Sequence, residues 1–140
     1  MNTAPSDPDS PTDCVPWRVL LCGCERVHAR RIMKAFAAVP QPPELCQVPT
    51  LERAARYFAE DIDAVLVDRQ ALGDMGPDCQ CLVDAAHRRP VVLLIREDDR
   101  ISLDLALRTG ASGFYYHDQI DASFVRRLRK LARAHKRALQ

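Results

Sequence analysis

An excess of either sign of charge is missing from this sequence as a whole. Twenty Lys and Arg stand against nineteen Asp and Glu, leaving a net charge of +1 over 140 residues. A domain so close to neutral projects no global field toward a polyanion or a lipid surface. Long hydrophobic runs are missing too: runs such as 19–22 and 91–95 fall far short of the roughly 20 residues that span a bilayer. Residues 1–16 have no basic start and no apolar stretch, so a secretory signal is not expected and a cytoplasmic address follows. No Gly-rich phosphate cradle, nucleophile–base pair or cofactor fingerprint occurs. The expectation is a protein that is not an enzyme and carries no cofactor.

What is present is ordinary globular material. Hydrophobic residues make up 47% and charged residues 28% of the chain, enough for one domain with a real core. Six cysteines are many for this length. They sit mostly inside apolar patterns and not at the spacings of a disulfide framework, so they read as reduced thiols.

The chain is organised around residues 62–68, Ile-Asp-Ala-Val-Leu-Val-Asp. A short, β-branched apolar run suits a strand covered on both faces, and it stops at a carboxylate, Asp68. In open parallel sheets, sites gather beyond the carboxyl ends of the strands, so Asp68 is the first candidate. Residues 1–16, rich in Pro, Ser and Asp, read as a disordered tail ahead of a single domain over 17–140. The pattern then predicts a strand over 17–23 and an amphipathic helix over 25–39, with Val27, Ile32, Phe36 and Val39 apolar and Pro40 closing it. A strand over 44–48 follows, then a helix over 51–60 with Thr50 as N-cap. After a loop over 69–77 come a helix over 78–89, whose inner stripe is Cys81, Leu82, Ala85 and Ala86, and a strand over 90–95. A polar turn, a helix over 101–109 ended by Gly110, and a short aromatic strand over 113–116 complete the alternation. Asp121 or Ser123 opens the last helix, with Phe124, Leu128 and Leu131 on one side. Alternating strands and helices with short connections imply a parallel sheet with helices on both faces.

The second half carries a resemblance. Pro90-Val-Val-Leu-Leu-Ile, the acidic turn, and Ala106-Leu-Arg-Thr-Gly-Ala-Ser-Gly-Phe-Tyr-Tyr, with Asp63-Ala-Val-Leu-Val-Asp68 ahead of them, resemble the CheY-like receiver domains of response regulators. The likeness runs from Trp17 to about Ala134. It implies a flavodoxin-like (βα)5 doubly wound sheet, strand order 2-1-3-4-5, in a three-layer sandwich, with Asp68 in the phosphoacceptor position. It also implies two-component signal transduction, with a histidine kinase or a downstream effector as partner, and a contact face made by the fourth helix, fifth strand and fifth helix. That face includes Phe114, Tyr115 and Tyr116 and could support a homodimer.

Departures from the receiver pattern are as informative. Where the resemblance implies an acidic pair holding Mg²⁺ at the end of the first strand, the chain has Gly23 and Cys24, leaving Glu25 as the one oxygen ligand beside Asp68 and the Gln70 carbonyl. Mg²⁺ wants hard oxygen ligands in octahedral geometry, so metal binding should be weak. Ile95, followed by Arg96, replaces the hydroxyl residue that ends the fourth strand, and His117 replaces the lysine after the fifth, at the rim of the pocket. The expectation is an atypical pseudo-receiver acting by protein–protein interaction. One alternative is a working regulator phosphorylated on Asp68 with Glu25 binding Mg²⁺. Another is a thiol redox- or metal-responsive domain acting through Cys22 and Cys24, with His28 one helical turn on. Seven Arg and Lys on the last helix, from Arg126 to Arg137, read as a solvated face or a dock for an acidic partner, since no base-reading motif accompanies them.

Overall fold

The computed structural model describes residues 17–58, 61–72, 80–96 and 110–138. The sequence expectations of a tail over 1–16 and a helix over 101–109 lie outside the described residues, as does most of the loop over 69–77. Five strands form one parallel sheet: β1 (Arg18–Cys22), β2 (Glu44–Val48), β3 (Ala64–Asp68), β4 (Val91–Ile95) and β5 (Gly113–Tyr116). Their order is β2-β1-β3-β4-β5, with β1 and β3 side by side and the order reversing between them. Four helices are described: α1 (Arg26–Ala37), α2 (Leu51–Tyr57), α3 (Gln80–Ala86) and α4 (Ala122–Ala138). This is the doubly wound, flavodoxin-like arrangement.

Alternation along the central strands divides the core into two layers. Val19, Leu21, Leu66, Val92 and Leu94 pack on one face with Ile32 and Phe36 of α1 and Phe124 and Leu128 of α4. Leu20, Cys22, Val65, Val67 and Leu93 pack on the other with Leu51 and Ala54 of α2 and Leu82 and Ala85 of α3. Strands β3 and β4 are buried at every residue, which is why their sequences are unbroken apolar runs rather than alternating ones. The even positions of β3 face α1 and α4, so Asp68 opens toward that side, in line with Leu66.

The amphipathic readings need two corrections. Val27 is 75% exposed and Leu131 is 40% exposed. The buried stripe of α1 is Ala29, Ile32 and Phe36, and that of α4 is Phe124, Val125, Leu128 and Ala132. In both helices an alanine takes the place that period counting gave to a larger residue at the edge of the stripe. Asp121 opens α4, its Oδ1 accepting the Phe124 N–H at 2.9 Å. Thr50 caps α2, its hydroxyl oxygen accepting the Arg53 N–H at 3.2 Å. Thr50→Ala should lower stability by about 1 kcal/mol, read as a shifted urea midpoint with an unchanged slope. Gly110 has a left-handed φ of +70°, a conformation that glycine adopts without steric cost. Among the described residues, no helix is long and apolar enough to cross a membrane.

Candidate functional site

The carboxyl ends of β1, β3, β4 and β5 converge on Asp68, which is 1% exposed. Burial follows from the strand: four apolar residues carry the chain through the core before it reaches the carboxylate. Directly after β3 the chain turns into a short 3-10 helix, Arg69–Leu72, and the Gln70 N–H donates to Asp68 Oδ1 at 2.9 Å. That local bond holds one carboxylate oxygen toward the backbone and leaves Oδ2 facing inward.

His117 meets it there. A second short 3-10 helix, His117–Gln119, follows β5, and Gln119 Oε1 accepts the Tyr116 N–H at 2.9 Å, bending the chain so that the imidazole enters the pocket. His117 is 5% exposed, so it lies inside the pocket and not at the rim expected from sequence. Its Nε2 stands 3.0 Å from Asp68 Oδ2. The two are close but not in line, and neither atom has an aligned hydrogen bond among the described residues.

From α1, His28 lays its ring on that of His117, with centroids 4.0 Å apart and planes inclined by 19°. Burial depresses the basicity of His28, and the neighbouring His117 adds to the effect. Cys24, at the exit of β1, completes the group; one ligating atom from each of Cys24, His28, Asp68 and His117 lies within 4.8 Å of all the others. Burial, reinforced by the Asp68 and Glu25 carboxylates, pushes the Cys24 thiol up to about 12. A thiol so protonated is a poor nucleophile. Cys22 takes no part: it is fully buried in the layer of α2 and α3, on the opposite face of the sheet. In a continuous strand Cys22 and Cys24 would share a face, but β1 ends at Cys22 and Gly23 turns the chain with a φ of +72°, so the alternative of a site built on both cysteines gives way to Cys24 with two histidines and an aspartate.

The outer edge is closed by charge. Arg96, just beyond β4, bonds Glu25 through one guanidinium nitrogen and also reaches Gln70 Oε1 at 2.8 Å. Gly23 has a φ of +72°, and a Cβ placed on it would stand 2.4 Å from the Cβ of Ala71. The exit of β1 thus lies against the turn after β3. Ile95 is 3% exposed and pairs with Tyr116 across the sheet, so an apolar side chain stands where the resemblance implies a hydroxyl.

The residues do not fit the Mg²⁺ implied by the resemblance. Of the two carboxylates, Glu25 is engaged by Arg96 and Asp68 faces nitrogen and sulfur donors, which Mg²⁺ does not favour. Sequence reasoning gathered Asp68, Glu25, Gln70, Arg96 and His117 into one pocket, and they do meet. It left out the stacking of His28 on His117, for which the only local signal was the four-residue step from Cys24 to His28 at the start of α1.

On the far side of the strand ends, β5 presents alternate residues outward. Phe114 is 47% exposed and Tyr116 39% exposed, while Tyr115 turns inward against the edge of Phe124, with ring centroids 4.9 Å apart.

No protein-family model and no curated protein matches the sequence. Solved structures match in fold. The signal receiver domain of the response regulator NarL from Mycobacterium tuberculosis is 19% identical, with a TM-score of 0.67 over 84% of this chain and 97% of that one. The N-terminal domain of a response regulator/sensory box/GGDEF three-domain protein from Carboxydothermus hydrogenoformans is 14% identical, with a TM-score of 0.68 over 88% of this chain and 99% of that one. The lysine decarboxylase LdcF of Francisella novicida is 12% identical, with a TM-score of 0.63; the match covers 85% of this chain but 17% of the decarboxylase. Sheet order, the placement of helices on its two faces and these likenesses agree: the chain has the fold of the CheY-like receiver domains of response regulators.

Proposed function

We propose that the chain is a signalling domain of the receiver fold that acts by binding another protein, and that Asp68 does not serve it as a phosphoacceptor. The carrying observation is the company Asp68 keeps. Phosphoryl transfer relies on cations and hydrogen-bond donors placed around the moving charge. Around Asp68 stand two imidazoles and a thiol, an isoleucine in the hydroxyl position, and an arginine already engaged with Glu25. In this reading the domain performs no chemistry on an outside substrate, and its partner is a signalling protein, a kinase or an effector. The exposed Phe114 and Tyr116 supply aromatic contact area of the kind that dominates protein interfaces. The exposed Arg126, Arg127, Lys130, Lys136 and Arg137 of α4 favour a partner with acidic character.

Treatment of the full chain with acetyl phosphate and Mg²⁺, followed by intact mass spectrometry, tests this. The expected spectrum shows no phosphoryl adduct, and beryllofluoride with Mg²⁺ leaves the amide resonances around Asp68 unmoved. A stoichiometric adduct that disappears in Asp68→Asn would restore a phosphorylation switch.

A further inference from the structure

The pocket holds more unspent bonding capacity than a packed core tolerates. Asp68 Oδ2, both ring nitrogens of His117, and His28 Nδ1 are buried atoms with no hydrogen-bond partner among the described residues. Buried polar atoms are otherwise almost always satisfied, and a group of them needs a reason. Their arrangement supplies one. A carboxylate oxygen, two imidazole nitrogens and a sulfur all lie within 4.8 Å of one another, with the carboxylate and one imidazole already at 3.0 Å.

We propose that Cys24, His28, Asp68 and His117 form a four-coordinate site for a divalent transition-metal ion of the zinc type. Sulfur at about 2.3 Å and nitrogen or oxygen at about 2.0–2.1 Å from zinc place neighbouring ligand atoms about 3.3–3.8 Å apart in a tetrahedron. Closing the widest separation in the group onto an ion therefore takes side-chain movement of about 1 Å, together with rotation of one imidazole out of the stacked arrangement so that the in-plane lone pairs of His28 and His117 converge. One thiolate, one carboxylate and two neutral imidazoles balance the charge of the ion and use the orphaned atoms. The donor set selects against Mg²⁺ and Ca²⁺, which take oxygen, and in favour of ions that accept imidazole and thiolate together.

The ligands come from separate parts of the fold. Cys24 and His28 lie at the entry of α1, Asp68 ends β3, and His117 follows β5. Cys24 and His28 are partly exposed, which gives an ion a way in, while Asp68 and His117 form the buried floor. An ion bound there would tie α1 to the exits of β3 and β5, and it would occupy the carboxylate that a phosphoryl donor would need. The site rests on the reading that this pocket has left Mg²⁺-dependent phosphoryl transfer.

Titration of the chelator-treated full chain with Co²⁺ tests the site. The expected result is one equivalent bound, with the visible absorption of tetrahedral cobalt and a near-ultraviolet thiolate-to-cobalt band, both displaced by Zn²⁺. Cys24→Ser should remove the thiolate band, and His28→Ala should weaken binding by about 100-fold or more, beyond what loss of an outer-sphere partner costs. Cys46→Ser and Cys79→Ser should leave both signals unchanged. X-ray absorption of the zinc-loaded wild-type chain, which needs no variant to fold, should show one sulfur and two imidazoles. An all-oxygen or multi-sulfur shell, or a thiolate band that survives Cys24→Ser, would overturn the site. The acetyl phosphate experiment reads the pocket's reactivity independently, so a phosphorylated chain with a tetrahedral cobalt spectrum would sink the functional reading and leave the metal site standing.

Discussion

Phe124→Ala is expected to remove about 3–5 kcal/mol of stability, a large fraction of the roughly 5–15 kcal/mol that folded domains ordinarily have. Phe124 is 2% exposed and is the first large residue of α4 to enter the core, three residues after the Asp121 cap. It lies against the α1 and sheet residues of its layer and receives the face-to-edge contact of Tyr115, an arrangement worth about 0.5–1.5 kcal/mol beyond simple burial. Truncation leaves a cavity that the rigid strands beneath it do not fill. Urea unfolding monitored by far-ultraviolet circular dichroism should show a large fall in midpoint, and Phe124→Leu should recover most of it. A loss below about 1 kcal/mol in the alanine variant would mean that α4 is not seated as described. Because Tyr115 precedes the segment that carries His117 inward, the same variant should also disturb the pocket resonances.

Gly23→Asp is the second large effect, and it is the substitution one would make to rebuild an acidic pair. It should cost about 2–5 kcal/mol and gain no affinity for Mg²⁺. The backbone at Gly23 has a φ of +72°, where a side chain is strained. The new Cβ would also meet the Cβ of Ala71 at 2.4 Å. Its N–H is committed to the Val48 carbonyl at 2.9 Å, so the peptide cannot turn away without loosening the edge of the sheet. Cys24→Asp is the informative companion. Cys24 is free of the left-handed constraint and already faces Asp68, so this change should raise Mg²⁺ affinity measurably by calorimetry. A stable Gly23→Asp protein that binds Mg²⁺ would show that the exit of β1 is looser than the contact with Ala71 indicates.

The fold was legible because the strands announce themselves. Val91 to Ile95 and Ala64 to Val67 are apolar without interruption, which only a strand covered on both faces requires at that length. The turn residues between them mark every crossover, and sheet order followed from the likeness to receivers rather than from pattern. Helix stripes were less legible. Val27 and Leu131 fit the period of their helices yet face solvent, since the width of a buried stripe depends on what lies across from it. The gathering of residues was legible around Asp68, which ends β3, with His117 directly after β5 and Glu25 three residues past β1 at the start of α1. The partnership of His28 was not, because it depends on how far the 3-10 turn after β5 swings His117 toward α1, and nothing in the local sequence states that angle. The inward direction of Cys22 was legible from its place in the first strand; that Cys24 lies on the other layer was not, because it depends on the left-handed turn at Gly23.

Arg96 ties together three strand exits: its own, that of β1 through Glu25, and that of β3 through Gln70. Receivers by resemblance gather acidic residues at this rim, and acidic residues in one place repel until something positive arrives. Here the positive charge is covalently part of the chain and never dissociates. The rim is therefore in its neutralised condition at all times, independent of the concentration of any small ion. On the proposed reading, a partner meets the same charge at this edge whatever the supply of small ions, and an input that alters the domain acts elsewhere than through that charge.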